Sequence, residues 1–139
     1  LHQLLRIIDN MSDAEYWYAG ACQETRNITS LMGEILEKAC GVQRILLAGC
    51  ATVTAEAAEV FAAAQIRLLG NEGQTVGPEN APMQVHKILL SRNIALLEGI
   101  VLTGIPEGRY FLSAAPLNLA GSDGSPCRAY LVDIKTGAV

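Results

Sequence analysis

The alternation of oily and polar positions divides most of the chain into short elements. In "SLMGEILEKACG", Ser30 to Gly41, the apolar residues Leu31, Met32, Ile35, Leu36 and Ala39 recur at the spacing of one helix face, and Gly41 stops the run. "VQRILLAG" follows with an apolar stretch at Ile45 to Leu47 closed by Gly49, which suits a short buried strand. A second helix is predicted over Thr54 to Gln65, where Thr54 is a natural N-cap and Ala57, Ala58, Phe61 and Ala62 share one side. "IRLLG" reads as the next strand. "NEGQTVGPENAPMQ", rich in Gly, Pro and Asn, reads as an irregular loop of the length that usually carries function. "VHKILLSRN" is predicted to be a short helix, "IALLEGI" a strand and "VLTGIPEG" a turn. "RYFLSAAPLNL" and "CRAYLVDI" then close the chain as two strands around the polar turn "AGSDGSP".

Helix and strand alternate in the middle and strands dominate the end. That order predicts an α/β fold with a mixed, partly parallel sheet and covering helices, in which ligands bind at strand ends and in the adjoining loops. At 139 residues the chain is expected to form one domain, 1–139, able to remove roughly two-thirds of its unfolded surface from water. No internal repeat marks a second unit.

Composition narrows the class. Half the residues are hydrophobic and 17% are charged, which excludes a disordered chain and points to a compact soluble one. The formal net charge is −4, and Lys and Arg fall singly, so no basic stripe is available to follow phosphates and no nucleic-acid partner is expected. The longest apolar run, "IALLEGIVL", is far below the roughly 20 residues of a membrane helix and carries Glu98, so no membrane association is expected either. Cys22, Cys40, Cys50 and Cys127 form no C-x-x-C pair and read as reduced thiols of a cytoplasmic protein. Gly70, Gly73 and Gly77 miss the G-x-G-x-x-G spacing, no phosphate-binding G-x-x-x-x-G-K-[ST] occurs, and no G-x-S-x-G serves a serine hydrolase.

The chemistry left over concentrates in "VHKILLSRNIALLEGIVL", which sets one of the two histidines, His86, and the carboxylate of Glu98 in an otherwise apolar run. On spacing alone these are also ordinary residues at element ends, a hydrogen-bonded histidine and a solvated glutamate. Yet the strand carrying Glu98 is too oily for a surface edge, and a buried carboxylate needs a cation or strong donors. A metal ion shared with His86 satisfies both groups.

Val85 to Asp133 resembles the C-terminal section of the metal-dependent cyclase and kynurenine formamidase-like hydrolases. The pieces that carry the resemblance stand in order: His86 with Leu89-Leu90, Leu97-Glu98-Gly99, Pro106-Glu107-Gly108-Arg109-Tyr110, Ala115-Pro116-Leu117, and Gly121-Ser122-Asp123-Gly124-Ser125-Pro126 with Arg128. The likeness extends more weakly backward through "GVQRILLAG" and "TAEAAEVFAAAQIRLLG". At the front, "LHQLLRIIDN" is similar to the segment that follows the family's H-x-G-T-H-x-D-A-P-x-H motif, so that His2 matches the motif's last histidine.

The resemblance implies a swivelling β/β/α-like fold, His86 and Glu98 as metal ligands, and His2 as a catalytic ligand or proton carrier. It also implies zinc as the cofactor, with manganese as the alternative, a small-molecule amide or formamide as substrate, and a homo-oligomer. The H-x-G-T-H-x-D core is not among these residues, which leads to the expectation that the chain is N-terminally truncated. Gly77 stands where the family usually has aspartate, and the Gly49 to Thr54 connection is shorter than the family's aromatic-rich loop. These departures keep a second expectation open, a cyclase-like domain without catalysis that serves as a binding or assembly module.

Overall fold

The computed structural model describes residues 15–22, 32–39, 41–49 and 51–133. Their elements, in chain order, are β1 (Glu15–Cys22), α1 (Met32–Ala39), β2 (Arg44–Gly49), α2 (Ala55–Ala63), β3 (Leu68–Asn71), α3 (Pro82–Ser91), β4 (Ala95–Leu97), β5 (Arg109–Pro116) and β6 (Cys127–Asp133). Six strands form one sheet in the order β4-β3-β2-β1-β5-β6. Strands β1 to β4 run parallel, and β5 and β6 are antiparallel to their neighbours. The expected mixed α/β architecture is therefore present, with helices flanking the parallel part.

Strand β2 explains the layering. Its residues Arg44 to Ala48 are all buried, as a parallel strand covered on both faces requires. Successive side chains alternate between faces. Ile45 and Leu47 join Ile35, Ala39, Phe61, Leu69, Val85, Leu89 and Ile94 in a core beneath the three helices. Leu46 and Ala48 join Leu68, Leu97, Leu102, Tyr110 and Leu112 on the other face. No helix covers that second face among the described residues; Ile100 and Ile105 and the inward side of β5 and β6 pack there instead.

The helices begin where the sequence supplies a start. Thr54 caps α2, its hydroxyl accepting the Ala57 N–H at 3.2 Å. In the same first turn the Glu56 carboxyl is held below its ordinary value by its backbone hydrogen bond and by Thr54. Helix α3 opens on proline, whose missing N–H costs nothing in a first turn. It runs from Pro82, three residues ahead of the predicted start at Val85.

Strand β1 is a finding the hydrophobic pattern did not predict. Its Trp17, Tyr18 and Ala19 pair with Ile45, Leu46 and Leu47 of β2, while its Glu15, Tyr16 and Trp17 pair with Phe111, Tyr110 and Arg109 of β5. It is the strand at which the sheet changes from parallel to antiparallel. Strand β4 requires a correction: among the described residues the oily "IALLEGI" is not an interior strand but lies at one edge of the sheet, and its strand is three residues long. Its apolar side chains are nevertheless covered, because Leu96 packs into the helix-side core and Leu97 into the opposite one.

Phe61 is fully buried at the centre of the helix-side core. Phe61→Ala is expected to lower stability by about 3–5 kcal/mol in urea unfolding, the usual cost of emptying such a site.

Candidate functional site

The carboxyl ends of the parallel strands β2, β3 and β4 are followed by loops that meet one another, the place where ligands bind in sheets of this kind. Backbone hydrogen bonds tie these loops together. The Val53 N–H donates to the Val76 carbonyl at 2.8 Å, the Gly99 N–H to the Gly73 carbonyl at 2.8 Å and the Ile100 N–H to the Asn71 carbonyl at 3.3 Å.

Glu98 is the first residue after β4, and Gly99 behind it takes a left-handed conformation, φ 67°, which suits glycine. This turn redirects the chain and leaves the Glu98 side chain facing helix α3. There it meets His86: His86 Nε2 and Glu98 Oε1 lie 3.1 Å apart, although the residues are separated by twelve positions in sequence. The same oxygen accepts the Val76 N–H at 2.8 Å. The two side chains are 22% and 29% exposed, so Glu98 sits at the rim of the site rather than buried in a strand as the sequence suggested. The Val76 amide donates to it, and the His86 ring is a second donor when Nε2 carries the proton, compensation of the kind that a partly desolvated carboxylate needs.

The two donor types are ones that divalent ions take. Imidazole nitrogen and carboxylate oxygen are both zinc ligands at about 2.0–2.2 Å, and two such atoms on one tetrahedral ion lie about 3.3 Å from each other. The observed 3.1 Å is close to that separation and also matches a direct hydrogen bond. Among the described residues no group of three or more His, Cys, Asp or Glu side chains comes together. His2, expected as the catalytic partner, lies outside the described residues.

A second carboxylate, Glu72, was not singled out from the sequence. Its Oε2 accepts the Gly49 N–H at 2.5 Å and its Oε1 accepts the Leu102 N–H at 2.7 Å. It thereby fastens the end of β2 to the segment after β4. Its signal in the sequence was an acid placed immediately after the buried run "LLGN". Cys127, at the start of β6, is a half-buried free thiol whose pKa is pushed up by burial; Cys40 and Cys50 lie outside the described residues.

A kynurenine formamidase from Sphingopyxis alaskensis is 39% identical over 83 residues, which are 59% of this chain and 40% of that protein. Among solved structures, the predicted metal-dependent hydrolase from Bacillus stearothermophilus superposes with a TM-score of 0.74 at 27% identity, over 88% of this chain and 64% of the other. A potential metal-dependent hydrolase with cyclase activity does so at 0.69 and 25% identity, over 85% and 63%. The chain matches the kynurenine formamidase-like hydrolases and cyclases at family level over part of its length. No family model matches the chain. It spans between 35% and 40% of the length of four kynurenine formamidases it matches. Among the described residues, no helix is long and apolar enough to cross a membrane.

Removing the Glu72 carboxylate leaves two amides without their acceptor. Glu72→Ala is expected to cost about 1–3 kcal/mol in urea unfolding and to speed hydrogen exchange at Gly49 and Leu102. Unchanged exchange at both amides would contradict the clamp.

Proposed function

We propose that this chain is part of a metal-dependent hydrolase acting on a small amide or formamide, with His86 and Glu98 holding a divalent ion. Zinc is the ion proposed, and manganese the alternative. One observation carries the reading: an imidazole and a carboxylate from different elements meet at 3.1 Å, at the carboxyl ends of parallel strands. The likeness of the chain to metal-dependent hydrolases supports it.

The chain's own residues do the positioning. Helix α3, anchored by buried Val85 and Leu89, fixes where the His86 ring stands. The Val76 amide fixes Glu98 Oε1. When bound, a divalent ion supplies Lewis-acid activation of the amide carbonyl and of water. His2 is proposed as the group that carries a proton to the leaving amine, a task that suits imidazole near neutral pH.

A second reading is favoured by a specific feature of the same contact. With its proton on Nε2, His86 satisfies Glu98 directly, and Val76 adds another donor, so the pair can stand without an ion. In that reading the domain binds or assembles rather than catalyses.

Metal content separates the two. Equilibrium dialysis against zinc is expected to load the parent chain and to leave His86→Ala and Glu98→Gln near background. A chelator is expected to lower the melting temperature of the loaded parent, since an ion bound only by the folded state stabilises it. Equal zinc content in the parent and in His86→Ala would reject the hydrolase reading in favour of the second.

A further inference from the structure

Asn71, the last residue of β3, is 0% exposed and lies on the same side of the strand as Leu69, facing the helix-side core. An amide in such a place lowers stability unless its hydrogen bonds are made. Its Nδ2 donates to the Thr75 carbonyl at 3.0 Å and approaches the Ala51 carbonyl at 3.4 Å. Among the described residues, its buried Oδ1 meets no hydrogen-bond donor. An apolar side chain of similar size would fill this position with no orphaned acceptor, so the asparagine has to be explained by what Nδ2 holds.

What it holds is one peptide group. The Thr75 carbonyl and the Val76 N–H belong to the same planar unit, and the structure contains no cis peptide bond among the described residues. In a trans peptide the carbonyl and the N–H point in opposite directions. Asn71 grips the carbonyl end, and the N–H end is thereby directed at Glu98 Oε1, 2.8 Å away. Hydrogen bonds in such a chain also polarise one another. Gly73 leaves just enough room for the grip: a Cβ there would stand 3.1 Å from Asn71 Nδ2 and 3.2 Å from the Thr75 carbonyl oxygen.

We infer that Asn71 is a positioning residue for the candidate site, setting the orientation of the Thr75–Val76 peptide and, through its N–H, the Glu98 carboxylate that faces His86. The consequence for metal binding rests on the hydrolase reading above; the consequence for the peptide does not. Asn71→Leu keeps the branching and the number of heavy atoms and removes the donors. Gly73→Ala keeps Asn71 and presses a methyl group against the same contact, so it serves if Asn71→Leu fails to fold.

The test has two arms. In the metal-free chain, the Val76 amide proton is followed by NMR with and without Glu98→Gln. The substitution is expected to move that resonance in the parent and to have little effect on it in Asn71→Leu or Gly73→Ala, because the peptide no longer addresses residue 98. A Val76 resonance that keeps both its position and its response to Glu98→Gln in these variants overturns the inference, whatever zinc does. In the second arm, zinc itself is titrated. Outer partners of metal ligands usually contribute about 10–100-fold to affinity, and a loss of that size is expected for Asn71→Leu. If the parent binds zinc through His86 and Asn71→Leu binds it within about two-fold, the inference is also overturned. A parent that takes up no zinc through His86 rejects the hydrolase reading alone, and the Val76 resonance then decides the role of Asn71.

Discussion

A carboxylate placed at the mouth of an apolar sheet must be given donors, and the loops of this protein are arranged around that requirement. Glu98 receives the Val76 amide and faces the His86 ring; Glu72 receives the amides of Gly49 and Leu102. Each acid thus binds backbone that lies outside the loop its own strand carries. The same bonds that satisfy two negative side chains hold the ends of β2, β3 and β4 in a fixed relation, so the electrostatic requirement and the shape of the site are one problem. Hydrogen bonds to charged groups contribute about 1.5–3 kcal/mol, enough to order loops that regular secondary structure does not reach.

The scaffold beneath these loops is simple. Strands buried on both faces supply rigidity, the helices close one side, and the segment from Ile100 to Ile105 with β5 and β6 closes the other. The site therefore sits on rigid strand ends but is made by loops and one helix. Its relatives share this scaffold over 85–88% of the chain. The pair His86 and Glu98 is local chemistry on that fold, and a shared fold alone does not decide what such chemistry does.

Much of the fold was legible because its elements advertise themselves locally. Thr54 announces a helix start, "RILLAG" a doubly covered strand, and "CRAYLVD" an alternating one. Strand β1 was not, for a physical reason. "EYWYAGAC" carries Ala19, Gly20 and Ala21 in its second half, residues of weak strand preference, and its central place comes from pairing with β2 and β5, contacts distant in sequence. The edge position of β4 was hidden similarly: oily residues show that a strand's faces are covered and say nothing of whether its backbone has a neighbour on both sides. His86 and Glu98 could be singled out because each interrupts an apolar run. Asn71 and Glu72 interrupt one as well, but they stand at the head of a Gly- and Pro-rich loop, where polar residues pass as ordinary.

The central claim is that the imidazole of His86 and the carboxylate of Glu98 jointly hold a divalent ion. A crystal of the chain equilibrated with zinc, with diffraction recorded at the zinc absorption edge, tests it directly. An anomalous peak is expected at about 2.0–2.2 Å from both His86 Nε2 and a Glu98 carboxylate oxygen. A peak elsewhere, or none while the two side chains keep their direct contact, would contradict it.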